Sequence, residues 1–309
     1  EAQRLEQEEL ASRSFIKQIH RVLIPTRGGA NIQLAAQLVG YMAHQNHTEV
    51  TLLYANEKSA KASQAATAVK DTVAQEAFAA ASEVMQLPAD ATLQKKTELA
   101  SNKVEAIINE ANKGYDLIVL GASEKTRSKD SLFNLLVDRV IQEAPCATMV
   151  VKSHLSEAEA ESSRTTQQQL KNILVPTVGT EYSKNAVEVA STIAAQTGAI
   201  ITIVNVINLP PIEYILYERR TLNPMKDIAS DLLEQQAVIG RSFGADVKTR
   251  ILKGTSAEME ILTYAENENF DLIILGSNIR MVTGRVFFGH RVDAILKKAH
   301  CPVAVITAP

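Results

Sequence analysis

The sequence predicts an α/β protein with two doubly wound parallel sheets of five strands each. Three observations predict this class: a long internal repeat, a regular alternation of strands and helices, and continuous apolar strands that helices must cover on both faces. The chain has 309 residues, a length that suggests two domains. Its 46% hydrophobic and 22% charged residues are the balance of an ordinary globular protein.

The repeat is visible in three pairs of segments. They are Val22-Leu-Ile-Pro-Thr26 with Ile173-Leu-Val-Pro-Thr177, Tyr115-Asp-Leu-Ile-Val-Leu-Gly121 with Phe270-Asp-Leu-Ile-Ile-Leu-Gly276, and Ala144-Pro-Cys146 with Ala299-His-Cys301. The offset is 151 residues for the first pair and 155 for the other two, so the second copy gains four residues before its fourth strand. We place this gain in the Leu209-Pro-Pro segment, where two prolines disfavour a regular element.

Within each copy, short β-branched strands alternate with longer helical stretches. Copy one is predicted to contain strands at 21–26, 48–54, 93–99, 117–120 and 147–151, and helices at 31–44, 60–85, 103–111 and 133–143. Copy two is predicted to contain strands at 172–177, 199–206, 246–252, 272–275 and 302–307, and helices at 182–196, 223–241, 256–267 and 289–299. Right-handed crossovers between such strands give a doubly wound sandwich.

Four segments follow from this organisation. We expect a lead-in helix or a stalk over residues 1–18, a first domain over 19–152, a linker over 153–169 and a second domain over 170–309. The linker assignment rests on its Ser, Glu, Thr and Gln content, which has little to bury.

Composition excludes several classes of protein. The formal net charge of −3 argues against a nucleic-acid binder, and no apolar stretch approaches the 18 residues of a membrane span. Cys146 and Cys301 are too few for a disulfide framework or a thiolate zinc site, and no signal peptide is recognisable, so we expect a cytoplasmic protein. No nucleophile elbow, phosphate-binding loop with its lysine, or zinc-protease motif is present, so we expect neither a catalytic nor a metal site.

A ligand is expected beyond the carboxyl ends of the strands, where three connections of copy two meet. These are the turn Thr177–Thr180, the turn Lys253–Ser256 and the loop Gly276–Gly289, which leads into a helix start at Gly289-His-Arg-Val-Asp293. Glycines let backbone approach an anion, and N–H groups at a helix start bind phosphate oxygens. The alternative is a purely structural role, in which the glycines allow turns and the arginines are solvated charges on a loop.

These same residues resemble universal stress protein domains. The resemblance covers both copies and rests on the Ile-Leu-Val-Pro-Thr start, the Asp-Leu-Ile-Ile-Leu-Gly-Ser strand and the Ala-His-Cys-Pro-Val-Ala-Val ending. It implies a tandem, adenine nucleotide alpha hydrolase-like fold that forms an internal pseudo-dimer through the last strands, 147–151 against 303–307. It also implies an ATP site in members that carry G-x2-G-x9-G-[ST] after the fourth strand and an Asp at the end of the first.

That signature is eroded in this chain. Copy one keeps Gly121, but Glu124, Asn134, Leu135 and Arg27 stand at the other positions, so its ATP site is expected to be lost. Copy two keeps Gly276 and Gly289, whereas Ile279, His290 and Val178 replace the middle glycine, the Ser/Thr and the Asp. The candidate nucleotide-binding residues are therefore Thr177, Val178, Gly254, Gly276, Ser277, Arg280, Arg285, Gly289, His290 and Arg291.

The function expected from these observations is non-catalytic sensing or regulation. ATP or AMP is the ligand that the resemblance implies for copy two, and a cyclic dinucleotide is a further possibility for remodelled loops. The resemblance also includes the cytoplasmic modules of membrane transporters such as cation/proton antiporters, so we expect regulation of a transporter in cis. Two alternatives remain open: a stand-alone ATP- or AMP-binding stress protein, and a ligand-free scaffold that binds protein partners.

Overall fold

The computed structural model describes residues 14–57, 64–122, 133–154, 168–209, 222–282 and 285–308. Most of the predicted lead-in segment, most of the predicted linker, Glu124 and the prolines of the predicted insertion lie outside these residues. The described chain forms two compact units. Unit 1 comprises the residues up to 168 with the short segments 281–286 and 307–309, and unit 2 comprises residues 169–280 and 287–306.

Unit 1 alternates strands and helices in the predicted order. Its strands are β1 (Arg21–Pro25), β2 (Glu49–Glu57), β3 (Thr92–Ala100), β4 (Leu117–Gly121) and β5 (Ala147–Lys152). Its helices are α1 (Ala30–Met42), α2 (Gln64–Val84), α3 (Lys103–Ala111) and α4 (Leu135–Glu143), with 3-10 turns at Ile16–Gln18 and Ala43–Gln45. The strands pair in the order β3-β2-β1-β4-β5, and the pairs β1–β2, β1–β4, β2–β3 and β4–β5 are parallel.

Unit 2 repeats this topology. Its strands are β6 (Asn172–Pro176), β7 (Ile200–Asn208), β8 (Asp246–Gly254), β9 (Leu272–Gly276) and β12 (Val303–Thr307), in the order β8-β7-β6-β9-β12. The pairs β6–β7, β6–β9, β7–β8 and β9–β12 are parallel. Its helices are α5 (Glu181–Thr197), α6 (Leu222–Ser242), α7 (Ala257–Asn267) and α8 (His290–Lys298). The predicted fold class, two doubly wound parallel five-stranded sheets, is confirmed.

The inner strands are buried on both faces because helices cover both sides of each sheet. Val22, Leu23 and Ile24 of β1 are at most 1% exposed, and the four residues Leu272–Leu275 of β9 are buried as well. The edge strands β3 and β8 instead consist of exposed and half-buried residues, apart from the buried Gly254, and their Lys and Arg side chains keep these edges polar. Hydrophobic burial within each unit therefore accounts for the repeated pattern of the sequence.

Helix α4 begins two residues later than predicted. Asn134 has extended backbone angles and its side chain accepts a hydrogen bond from the Val137 N–H at 2.9 Å, which makes it the N-cap. The boundary is set by this side chain, since Asn competes for backbone hydrogen bonds and favours caps over helix interiors.

Two short strands were not predicted. β10 (Arg280–Val282) and β11 (Arg285–Phe287) pair with each other inside the connection from β9 to α8, which the sequence indicates only as a loop. Three residues are too few to show an alternating pattern, so this pairing depends on the folded connection and not on local periodicity.

A buried polar network lies beside β2 and β3 of unit 1. Glu110 of α3 is 1% exposed, and its carboxylate accepts hydrogen bonds from the Lys96 ammonium at 2.8 Å and the Lys113 ammonium at 2.5 Å. The Tyr115 hydroxyl lies 2.8 Å from the same carboxylate and 2.9 Å from the Thr51 hydroxyl. Burial alone raises the pKa of Glu110, but the hydrogen bonds from Lys113, Lys96 and Tyr115 outweigh it and hold the pKa at about 2.

Unit 2 lacks this network. Ala265 and Phe270 stand at the positions of Glu110 and Tyr115, at the same offset of 155 residues, and both are buried. The two units therefore share a fold but stabilise this corner in different ways, one with a carboxylate and two lysines and the other with apolar contacts.

Candidate functional site

The candidate site of unit 2 lies where the connections after β6, β8 and β9 leave the carboxyl ends of the strands. β6 is hydrogen-bonded to β9 on one side and to β7 on the other, and β7 pairs with β8. Because all of these pairs are parallel, the three connections leave the same edge of the sheet. The structure thus places the segments that carry the predicted site residues at one edge.

The turn after β6 is held by its own hydrogen bonds. Thr177 is 2% exposed; its hydroxyl accepts from the Gly179 N–H at 3.2 Å, and its carbonyl oxygen accepts from the Asn205 amide at 2.8 Å. Val178 is 66% exposed, so the side chain at the position of the family's Asp points away from the core and offers no polar group. A ligand at this turn would meet an apolar surface.

The turn after β8 presents a carboxylate. A Cβ on Gly254 would lie 2.0 Å from Oε1 of Glu260, which shows that the Glu260 side chain folds back over this glycine. Ser256 caps α7 by accepting a hydrogen bond from the Met259 N–H at 3.4 Å. Since Glu260 is negative and close to Gly254, this corner of the site disfavours an anion.

Gly276, at the end of β9, lies directly against the start of α5. A Cβ at this position would come within 1.7 Å of the Tyr182 carbonyl oxygen, a backbone atom that cannot move aside without moving the helix. Gly121 in unit 1 is also tightly packed, since a Cβ there would lie 3.0 Å from Asn31 and Ile32. Packing between helix and strand is thus sufficient to require glycine here.

The connection from β9 ends in an uncapped helix start. Gly289 has φ of 96°, a conformation that favours glycine, and α8 begins at His290 with no hydrogen bond from a capping side chain. His290 and Arg291 are exposed, as is Arg280, while the Arg285 side chain lies outside the described ones. The rings of Phe287 and His290 pack edge to face at 4.9 Å. The first turn of α8 can therefore receive an anion, flanked by two basic side chains.

Asp293 is an acidic residue in the first turn of α8. Burial raises the pKa of Asp293 above its usual value. The backbone of Phe288 and the charges of Lys297 and His290 lower the pKa but offset only part of this rise. Its Oδ1 is buried and has no hydrogen-bond partner among the described residues. A carboxylate suits the positive end of the helix dipole, but the burial of this one carries a desolvation cost.

Unit 1 is closed at the equivalent place. The Asn31 amide, in the first turn of α1, donates to the Ala122 carbonyl oxygen after β4 and accepts from the Ser153 N–H after β5 at 2.6 Å. Asn134 caps α4, Leu135 follows it with 66% exposure, and Arg27 is exposed on the turn after β1. Side chains of unit 1 thus bond to backbone groups of three connections, and one of them caps α4, whereas the start of α8 has no capping side chain.

The structure also shows the surroundings of the two cysteines and of the side chains that could bind a metal. Cys146 is half-buried and Cys301 is buried; burial, followed by the charge of Asp116 for the first and Asp271 for the second, raises their pKa values to about 11 and about 12. Among the described residues, no group of three or more His, Cys, Asp or Glu side chains is arranged to hold a metal. No helix in the described part of the chain is both long and apolar enough to cross a membrane.

Asn31 and Tyr182 were missed from the sequence. Each follows its first strand by several residues and carries no recognisable motif, and their importance arises from contacts with residues about 90 positions away in the chain. The repeat itself contained a signal that the two copies differ at this place. Asn31 and Tyr182 are aligned at an offset of 151 residues, and one is a polar amide whereas the other is an aromatic residue.

The fold and these connections define an open α/β protein of the class that binds ligands at the carboxyl ends of parallel strands. The universal stress protein family matches residues 18–152 and 169–307, and the chain therefore belongs to this family, with two of its domains in tandem.

Known proteins agree with this assignment. A universal stress protein of Methanocaldococcus jannaschii is 28% identical over 142 residues, which are 45% of this chain and 83% of that protein. The crystal structure of a universal stress protein from Archaeoglobus fulgidus covers 93% of this chain and 98% of its own, with a TM-score of 0.58 and 18% identity. A protein of unknown function from Pseudomonas aeruginosa covers 95% of this chain and 94% of its own, with a TM-score of 0.56 and 13% identity.

Proposed function

We propose that the chain is a non-catalytic sensing or regulatory module and that unit 2 binds an adenine nucleotide at the start of α8. The observation that carries this proposal is the difference between two equivalent helix starts. Asn134 caps α4 in unit 1, whereas Gly289 leaves the first turn of α8 without a capping side chain, beside exposed His290 and Arg291. Backbone N–H groups and two basic side chains suit a phosphate.

The proposed ligand is bound mainly through its phosphates. Val178 supplies no carboxylate for a ribose hydroxyl, and Glu260 makes the corner near Gly254 unfavourable for an anion. We therefore expect the site to bind ATP and AMP but to select adenosine over other nucleosides less strongly than the resemblance implies. A cyclic dinucleotide, which carries two phosphodiesters, is the competing ligand.

Calorimetric titration with ATP, ADP, AMP and cyclic di-AMP tests this proposal. The informative variant is the double substitution His290→Ala and Arg291→Ala, because both side chains are exposed and their loss should leave the fold intact. The matched control is Lys297→Ala, which removes a positive charge from the other end of the same helix. We expect saturable binding that weakens at least about tenfold in the double variant and little in the control.

Two results would contradict the proposal. If no nucleotide binds at millimolar concentration, the alternative of a ligand-free scaffold is favoured, and its protein partners should be sought instead. If the double variant binds as tightly as the unchanged chain, the nucleotide lies elsewhere. A stand-alone nucleotide-binding stress protein and a transporter module share the same site, so titration does not separate them.

We propose a membrane transporter in cis as the partner on the resemblance alone. The full-length reading frame tests it: membrane-spanning segments in the same frame support the proposal, and a start codon directly before Glu1 contradicts it. A cytoplasmic location and a pairing of the two copies through their last strands stay predictions of the sequence. Solution scattering that shows two independently tumbling lobes would contradict the pairing.

A further inference from the structure

Two side chains of α1 hold the chain near the two ends of the predicted linker. The Asn31 amide oxygen accepts a hydrogen bond from the Ser153 N–H at 2.6 Å, and the Gln37 amide bonds to the backbone of Gln168. Because the two side chains are six positions apart on one helix, they leave it about 9 Å apart along its axis. The chain from Ser153 to Gln168 therefore begins and ends on the same helix of unit 1.

Gln37 binds Gln168 through both ends of its amide. Its Nε2 donates to the Gln168 carbonyl oxygen at 2.7 Å, and its Oε1 accepts from the Gln168 N–H at 3.2 Å. The same Nε2 donates to the Tyr41 hydroxyl at 3.1 Å, one turn further along α1. Gln37 is 3% exposed, so release of Gln168 would leave a buried amide with unsatisfied groups. The amide therefore favours the state in which Gln168 stays on α1.

Three residues after Gln168, the chain is fixed again, this time at the start of β6. The Asp271 carboxylate accepts hydrogen bonds from the N–H groups of Lys171 and Asn172, both at 2.8 Å. Leu170, between these two fixed points, is 4% exposed. Since only two residues separate Gln168 from Lys171, the chain can span at most about 10 Å there.

We propose that Gln37 is a latch, which shortens the free connection between the two units to a strap of two residues, 169–170. With the latch open, the free chain would run from the Ser153 anchor to the Lys171 anchor, over residues 154–170. Its reach would then be about 60 Å instead of about 10 Å. The inference goes beyond the nucleotide site of unit 2 and does not depend on it.

Limited proteolysis with thermolysin, which cleaves before large apolar residues, tests the latch at the Gln169–Leu170 bond. Gln37→Ala removes all three hydrogen bonds of the amide, so we expect this bond to be cleaved at least about tenfold faster than in the unchanged chain. Asn31→Ala is the matched control, because it removes the other anchor from the same helix. It should release the Ser153 end and leave the cleavage before Leu170 unchanged.

A second variant makes the same test without truncating a buried side chain of α1. Gln168→Pro lacks the N–H that donates to Gln37 Oε1, while Gln37 itself is unchanged. The loss of one neutral hydrogen bond should speed cleavage before Leu170 about fivefold. This variant decides the question if Gln37→Ala does not fold.

An insertion distinguishes the latch from an ordinary linker. Ten Gly and Ser residues added between positions 160 and 161 lengthen the chain between the two anchors on α1 but not the strap. Cleavage before Leu170 should therefore stay within about twofold of the unchanged chain. Faster cleavage in Gln37→Ala and Gln168→Pro alone supports the latch. The latch is overturned if neither variant speeds cleavage, or if Asn31→Ala or the insertion speeds it equally.

Discussion

Removing the buried carboxylate of Glu110 should destabilise unit 1 and leave unit 2 unaffected. Its pKa of about 2 lies below the ordinary value of 4.5, because Lys113, Lys96 and Tyr115 stabilise the charged form. Since one pH unit corresponds to about 1.4 kcal/mol, this difference is worth about 3 kcal/mol of folding free energy at neutral pH. Glu110→Gln should therefore lower the stability of unit 1 by about 2–3 kcal/mol, the smaller figure applying if the partly exposed lysines become hydrated.

The sign of the pH dependence follows from the lowered pKa. The stabilisation is complete above pH 4.5, where the unfolded carboxyl is also ionised, and it is lost as the pH falls toward 2. The Glu110→Gln variant lacks this contribution, so its curve of stability against pH should be flatter between pH 4.5 and 2. Above pH 4.5 the difference between variant and unchanged chain should be constant.

Hydrogen exchange in increasing urea, followed by mass spectrometry, gives a local readout. Peptides from α3 and β3 report on unit 1, and peptides from α7 and β8 report on unit 2, where Ala265 replaces the carboxylate. The unit 2 peptides thus act as an internal control within each sample. The reasoning is refuted if Glu110→Gln changes the unfolding free energy reported by the α3 peptides by less than about 0.5 kcal/mol at pH 7. It is also refuted if the stability of the variant and that of the unchanged chain fall equally as the pH is lowered from 4.5 to 2.

Three further predictions follow from the contacts described above. Gly276→Ala should cost about 3 kcal/mol in urea denaturation because its Cβ meets a backbone oxygen, whereas Gly254→Ala should cost less than about 1 kcal/mol because a flexible Glu side chain can move; equal midpoints would contradict this. Asn134→Ala should cost about 1 kcal/mol through the lost cap, with Asn134→Asp as the control that keeps it; equal losses in both variants would speak against the cap. Cys146 and Cys301, with pKa values of about 11 and 12, should react with iodoacetamide at pH 8 at least about tenfold more slowly in the native chain than in urea, and equal rates would show that burial does not protect them.

Most of the fold was predictable because its signals are local and occur twice. Apolar runs such as Leu272–Leu275 are typical of a sheet covered on both faces, and the repeat places each run in the same order in both halves. The pairing of β10 with β11 was not predictable, since each strand is three residues long. The start of α4 at Leu135 could have been predicted, because Asn is a preferred N-cap residue and Asn134 precedes the first buried turn.

The candidate site was predictable as a set of loops but not as a set of interactions. Topology alone brings the turns at Thr177 and Gly254 and the loop from Gly276 to one edge of the sheet. The fold-back of Glu260 over Gly254 and the closure of unit 1 by Asn31 depend on side-chain directions that no local pattern encodes. Binding by the ten candidate residues stays a prediction.

The close contact between Gly276 and Tyr182 bears on how nucleotide binding is inferred across this family. A glycine that the packing of helix against strand requires is needed whether or not a ligand binds nearby, and Gly121 of unit 1 is tightly packed in the same way. Its presence alone is therefore weak evidence that a domain binds a nucleotide. The residue that begins the helix after the fourth strand is the better discriminator, because an Asn there closes the helix start and a glycine leaves it open.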